Sequence, residues 1–232
     1  KEVFAGRCWR RLVCISKRVA EEVHRIHGVP LEDCRVIHNG TDIEKFHPRN
    51  RVAADGPPRL LFVGSGFERK GLEQALDALE RVNAEWRLRV VGRGDPGAFA
   101  AISARLGRVE FAGPQSAMPA EYGRADLLLF PTLYDAFGTV ALEAMATGIP
   151  VVISRQAGAS EVVTHGSDGV IVENPRDPAA LAAAIEPLLA DRPKREAMGK
   201  AARAKAEQHS IGANIETVLE LYREIAREKG RP

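Results

Sequence analysis

From residue 59 onward the chain alternates two kinds of apolar pattern. Strand-like runs fall at 60–63, 88–91, 109–112, 127–130, 151–153 and 170–172, and the continuous apolar ones, 127–130 above all, read as strands buried on both faces. Between them apolar residues return at helical spacing. Leu72, Ala75, Leu76, Leu79 and Val82 fall at i, i+3, i+4, i+7 and i+10, which builds one buried stripe. Further helices are expected at 98–106, 118–124, 139–146, 160–164 and 178–189, and two more close the chain at 192–208 and 211–228. Strand and helix alternating through short loops predict an α/β fold, a doubly wound parallel sheet covered on both faces.

The amino-terminal part reads differently. Residues 8–27 predict one amphipathic helix, with Val13, Ala20, Val23 and Ile26 set among Ser16 and Lys17 and a stop at Gly28 and Pro30. An apolar run at 34–37 is closed by Asn39-Gly40, a turn signal, and residues 48–58 carry the proline, glycine and charge of a linker. Composition adds limits. Hydrophobic residues make up 45% and charged ones 28%, and 33 basic against 31 acidic side chains leave a net charge of +2. Bulk charge therefore gives no sign of a nucleic-acid partner. No apolar run approaches the ~20 residues that span a bilayer.

Cys8, Cys14 and Cys34 show neither metal nor redox spacing, and scattered thiols fit a reducing cytoplasm. The Asn39-Gly40-Thr41 sequon is read as a turn. Because the chain opens at Lys1 and not at Met, it is expected to be a fragment.

Ligands of doubly wound sheets sit at the carboxyl ends of the strands, and three loops there carry chemistry. Gly64-Ser65-Gly66-Phe67-Glu68-Arg69-Lys70-Gly71 joins glycines, which admit a close ligand, to a guanidinium fork and an ammonium suited to a diphosphate. A solvated charged turn is the bland reading of that pair. Asp135-Ala136-Phe137-Gly138-Thr139-Val140 runs into a helix whose free amides form a ready anion site at Gly138, Thr139 and Val140. Glu143, one turn inside, offers two acceptor oxygens to a ribose diol, although a salt-bridged helix residue is the commoner role, and Asp135 could equally cap the helix. Gly92-Arg93-Gly94-Asp95-Pro96-Gly97 matches the dinucleotide pattern but follows the second strand of this domain, so it reads as a tight turn.

The set Val36-Ile-His-Asn-Gly-Thr-Asp42, Phe62-Val-Gly-Ser-Gly-Phe-Glu-Arg-Lys-Gly71 and Asp135-Ala-Phe-Gly-Thr-Val-Ala-Leu-Glu143, continuing through Val152, covers nearly the whole chain. It resembles the family-4 glycosyltransferases of the two-domain GT-B type, carboxy-terminal donor-binding half, with likeness to the lipopolysaccharide core glucosyltransferases. The resemblance implies that Arg69 and Lys70 hold the diphosphate of a nucleotide sugar, usually UDP-linked, with Gly64 and Gly66 in the same loop. It implies that the turn from Phe137 through Gly138 and Thr139 to Val140 binds phosphate through its backbone, and that Glu143 takes the ribose hydroxyls. Family members commonly carry glutamate, touching the donor sugar, where this chain has Asp135; the shorter side chain puts that reach in question.

The resemblance further implies a retaining transfer to a glycan or lipid-linked saccharide acceptor, without metal or cofactor. Residues 1–27 would be the last helix of an absent amino-terminal domain, 28–58 a connecting segment, 59–210 the Rossmann-like donor domain, and 211–232 a helix crossing back. The protein is expected in the cytoplasm, with a peripheral contact at the inner membrane face open through the basic stretch Arg7, Arg10, Arg11, Lys17 and Arg18, for which a solvated or interdomain face is the preferred reading. The fragment alone is expected to be inactive. Two other classes stay open: an isolated binding module, and an enzyme like UDP-N-acetylglucosamine 2-epimerase.

Overall fold

A computed structural model describes residues 9–53 and 55–228. Its amino-terminal part holds two short parallel strands, β1 (Leu12–Cys14) and β2 (Cys34–Val36), joined through helix α1 (Lys17–His27). The single helix expected from residue 8 is thus corrected. Leu12 pairs with Cys34 and Cys14 with Val36, so a partner some twenty residues away draws this stretch into a strand. Ser16 then starts the helix by accepting from the Val19 amide, an ordinary N-cap. Cys8 and Arg7 lie outside the described residues.

The other two thiols, distant in sequence, are neighbours in space. Burial first, and the adjacent Cys34 second, push the Cys14 thiol up to about 11. Asn39-Gly40 is extended chain and not a turn; the next residue, Thr41, bridges to Ser210, exchanging backbone hydrogen bonds of 2.9 and 3.0 Å with His209 and Ile211.

Beyond the linker come β3 (Arg59–Val63), α2 (Leu72–Leu79), β4 (Arg87–Val91), α3 (Ala100–Leu106), β5 (Val109–Gly113), α4 (Met118–Arg124), β6 (Leu127–Phe130), α5 (Thr139–Ala146), β7 (Val151–Ser154) and β8 (Gly169–Val172). Three helices end the described chain: α6 (Pro178–Ala190), α7 (Arg192–Glu207) and α8 (Ile211–Glu228). The helix expected at 160–164 is a 3-10 turn, Gly158–Glu161.

Alternate strand residues serve opposite layers. Leu61, Val63, Leu128, Phe130, Val151 and Ile153 pack with α5 and the end of α4; Leu60, Phe62, Leu127, Leu129 and Val152 pack with α2 and α6. This double burial explains why the strands read as continuous apolar runs. The helices at each face supply small residues where they approach closely, such as Ala141, Ala144 and Ala146, all fully buried.

The six strands run in the order β5-β4-β3-β6-β7-β8, every neighbour parallel. The winding direction reverses between β3 and β6, and a crevice opens outside the carboxyl ends of strands at such a point. The loops after β3 and β6 are those that carry Lys70 and Asp135. None of the described helices is long and apolar enough to cross a membrane. Part of the basic stretch is answered internally: Arg10 and Arg11 lie 3.7 and 3.2 Å from Glu228 at the end of α8.

Candidate functional site at the sheet switch point

The two loops are fastened to each other by their backbones. The carbonyl of Arg69 accepts from the Leu133 amide at 2.9 Å and from the Thr132 hydroxyl at 3.1 Å, and the Arg69 guanidinium donates to the Tyr134 carbonyl at 2.9 Å. Lys70 forms an ion pair with Asp135, and its ammonium stands 5.2 Å from the centroid of the Phe130 ring. Both partners keep little solvent contact, 13% and 14% of side-chain surface, so the pair is screened less than a surface bridge. The residues read from sequence as an anion site are therefore on one side of the molecule.

Gly64 has a specific use. A Cβ there would lie 2.7 Å from the Lys70 Cγ, so the missing side chain is the space through which the lysine stem reaches the crevice. Gly138, with φ of +91°, starts α5 in a conformation that favours glycine, and a Cβ there would strike the Phe130 ring. The same ring thus borders both the ammonium and the helix start. No side chain caps α5, which leaves the first-turn amides, Thr139 and Val140 included, to a ligand or water.

A recess of about 440 Å³ opens here, with Gly64, Ser65, Arg69, Lys70 and Val140 on its wall. Arg93, Pro114, Gln115 and Met118 stand on it too. Sequence reading took Arg93 as part of a tight turn and passed over the other three. Arg93 sits inside the glycine-rich turn after β4, and Gln115 follows β5; both stand at the carboxyl edge of the sheet, which was the available signal. The loops are stitched together, since Gly66 donates to the Arg93 carbonyl at 2.8 Å and Ser65 Oγ accepts from the Arg93 amide at 3.3 Å.

Phe137 departs from the expectation. Its side chain is 1% exposed, its amide donates to Asp135 Oδ1 at 3.3 Å and its carbonyl accepts from the Ala159 amide at 2.7 Å. It holds the turn by packing, beside His38 at 5.9 Å between ring centroids, and has no free amide for a phosphate. His38 in turn bonds Glu161 at 2.9 Å, so it sits nearer the 135–140 loop than its sequence neighbourhood suggests. Helix α1 also grips this loop: Ser16 Oγ donates to the Ala136 carbonyl at 2.8 Å, and Tyr134 donates to Glu22 at 2.6 Å.

Glu143 has no cationic partner within ion-pair distance among the described residues; the Tyr122 hydroxyl donates to its Oε2 at 2.7 Å. Burial raises its pKa above the ordinary glutamate value of 4.5, against the opposing pull of Tyr122 and Lys45. A carboxyl group raised in this way favours folding while protonated; that stability is complete below the unfolded value and is lost as pH rises through the folded one. Ionised Glu143 therefore costs stability at pH 7. Glu143→Gln is expected to raise Tm at pH 7, with the gain fading toward pH 4. Thermal scans across pH check this, and a lower Tm at neutral pH contradicts the sign.

Comparison with known proteins places this site in context. The family model described as glycosyl transferases group 1 matches residues 43–205. Glycogen synthase of Mycobacterium tuberculosis is 34% identical over 203 residues, covering 84% of this chain and 49% of the relative. The crystal structure of Anabaena HepE in complex with UDP and glucose superposes with a TM-score of 0.82 at 24% identity, over 95% of this chain and 65% of that one. WaaG, a glycosyltransferase involved in lipopolysaccharide biosynthesis, gives 0.79 at 23%, over 91% and 62%. At those identities the two structures establish the fold. The chain spans about half the length of the curated relatives it matches.

Proposed function

Since the chain belongs to the group 1 glycosyl transferases, we propose that it is the donor-binding half of an enzyme that moves a sugar from a UDP-linked donor to a saccharide acceptor. The observation that carries this reading is the shared recess in which Gly64, Arg69 and Lys70 face Val140 in the first turn of α5. A pyrophosphate there meets a guanidinium, an ammonium and unpaired amides from three directions. As the bond to the sugar breaks, negative charge grows on the departing phosphate, and donors already aimed at that charge lower the barrier without reorganising.

In this reading all of that positive charge comes from the chain and no metal is required. Asp135, paired with Lys70, places a carboxylate next to the ammonium, on the side where the donor sugar would lie. Glu143 holds the ribose, and the wall of Arg93, Pro114 and Gln115 is left for the base. The bound UDP and glucose of HepE support a uridine nucleotide, and the likeness to WaaG supports a lipopolysaccharide-type acceptor. Retention of anomeric configuration belongs to the same proposal.

The acceptor would enter against a further domain. Ile211, Ile215, Leu219 and Tyr222 fall on one stripe of α8, between 38% and 65% exposed, and this unanswered apolar stripe suits the crossing helix of a two-domain enzyme. The test has two arms. Calorimetry of this chain with UDP is expected to show one site that Glu143→Gln weakens. Full-length protein, assayed on a panel of UDP-sugars with and without saccharide acceptor, is expected to release UDP only with acceptor and to be indifferent to EDTA. Acceptor-independent turnover of UDP-N-acetylglucosamine would instead support epimerase chemistry and sink the transferase reading.

A further inference from the structure

A second recess, of about 530 Å³, opens at the opposite edge of the sheet, under the amino-terminal ends of β6 and β7. Arg51, Arg59, Arg192, Arg195, Lys200 and Arg203 line it. Against these six cations stand two carboxylates, Asp126 and Glu196. The larger recess beside it, about 790 Å³ around Trp86, offers a useful contrast. There Arg89 pairs with Glu110 and Glu121, Arg108 with Glu85 and Arg124 with Glu121, so most of its cations are answered.

Several cations of the basic recess have structural employment. Arg203 donates to the carbonyls of Ile43, Phe46 and Ala146 and pairs with Glu207. Arg192 pairs with Glu196 at 2.7 Å. Arg59 binds Asp126 through its amide at 2.9 Å and its Nε at 3.1 Å. Asp126 must also serve Arg51, at 3.3 Å, so one carboxylate answers two guanidinium groups.

Arg195 is left over. It is 9% exposed, its Nη1 donates to the Leu188 carbonyl at 2.5 Å and the Leu189 carbonyl at 3.3 Å, and no carboxylate lies within 4.0 Å of it among the described residues. Burying a guanidinium without a counter-charge is costly, and burial lowers the pKa of both Arg195 and Arg51. Lys200, on the same wall one turn along α7 from Glu196, has no ion-pair partner among the described residues. A concave site with surplus positive charge and a buried, half-employed guanidinium is built for an anion.

We propose that this recess binds a small phosphorylated ligand, held by Arg195, Arg51 and Lys200, at a site separate from the switch point. The concave, half-open shape favours a free phosphate compound over a flat membrane surface. The site lies against the carboxyl end of α5, where Arg51 and Arg203 already hold the carbonyls of Gly148 and Ala146. The recess keeps its surplus charge whatever the switch-point crevice binds.

Pyrophosphate titrated into the isotopically labelled chain carrying Arg69→Ala and Lys70→Ala, which removes the competing cations, tests this. Saturable shifts are expected at the amides of Gly148, Glu196 and Lys200, with none of similar size from sodium chloride at equal ionic strength. Arg195→Gln is expected to weaken that binding at least about tenfold, one charge-assisted contact. Should that variant fold poorly, Lys200→Gln, an exposed position, is expected to weaken it at least about threefold. Shifts that rise linearly without saturation, or an affinity unchanged by the substitution, overturn the site. Sedimentation of the chain with phosphatidylglycerol vesicles, abolished by Lys200→Gln while pyrophosphate leaves the recess amides unmoved, overturns the assignment to a free ligand.

Discussion

Replacing Arg69 and Lys70 together by alanine in the full-length enzyme is expected to lower kcat/KM by about a hundredfold to ten-thousandfold. Charge-assisted hydrogen bonds contribute about 1.5–3 kcal/mol each, two of them about twice that, and each ~1.4 kcal/mol is a factor of ten. Arg69 should contribute little structural loss to this, because it is exposed and its side chain makes one backbone contact, to Tyr134; any fall in stability belongs to Lys70. The pairing of Lys70 with Asp135 adds a second, sharper expectation. Lys70→Ala alone leaves a largely buried carboxylate without its counter-ion, beside the place a diphosphate would occupy. It should therefore hurt UDP binding more than the loss of one contact explains. Adding Asp135→Asn to Lys70→Ala should recover part of that binding, a non-additivity expected of groups in direct contact. Calorimetry of UDP with the single and double variants reads the coupling, and steady-state rates read the catalytic part. Turnover of the Arg69/Lys70 variant equal to that of the parent would end the assignment.

What could be read from sequence followed from the distance over which each feature is decided. The runs at 127–130, 139–146 and 211–228 reappear as β6, α5 and α8 with the same bounds, because burial on two faces or one helical stripe writes its period into the local sequence. The strand Leu12–Cys14 was hidden inside a helical period because its pairing with Cys34–Val36 is not local; Ser16, an N-cap residue placed before the apolar repeat, was the overlooked sign. The candidate site divides in the same way. Gly64, Lys70 and Gly138 announced themselves as a glycine-rich loop and a glycine at a helix start, although Asp135 could have been its cap; the structure leaves that start without a side-chain cap. That Lys70 meets Asp135, and that Tyr122 meets Glu143, depends on which strands are neighbours. The surplus charge around Arg195 was invisible for the same reason, since its wall joins residues 51 and 59 to 192, 195, 200 and 203, two segments far apart in sequence.

Gly92→Ala is expected to destabilise the chain by about 2–5 kcal/mol and to weaken UDP binding at the same time. Gly92 has φ of +135°, a region that costs a side chain about 1–3 kcal/mol. A Cβ there would also run into the Gly64 carbonyl, a backbone group that cannot rotate away, and such overpacking costs about 1–3 kcal/mol more. For a chain of this length each kcal/mol moves Tm by about 2–4 °C, so a fall of roughly 4–20 °C is expected. The effect on binding follows from the same contact. Gly64 donates to the Val91 carbonyl at 3.0 Å and leaves the space that the Lys70 stem fills, so displacing it displaces the ammonium.

Its two companions in the glycine-rich turn should be graded below it. A Cβ at Gly94 meets the Phe67 ring, a side chain, and one at Gly97 meets Asp95 Oδ1 at 3.0 Å, on an exposed carboxylate that accepts from the Gly97 amide at 2.8 Å. Neither of those glycines has the positive φ of Gly92. A dinucleotide fingerprint would give another order, with all three substitutions harming a nicotinamide nucleotide and sparing UDP. Thermal scans of the three alanine variants, each titrated with UDP and with NAD, separate the cases. A Gly92→Ala protein with unchanged Tm and unchanged UDP affinity would remove the physical link between this turn and the lysine.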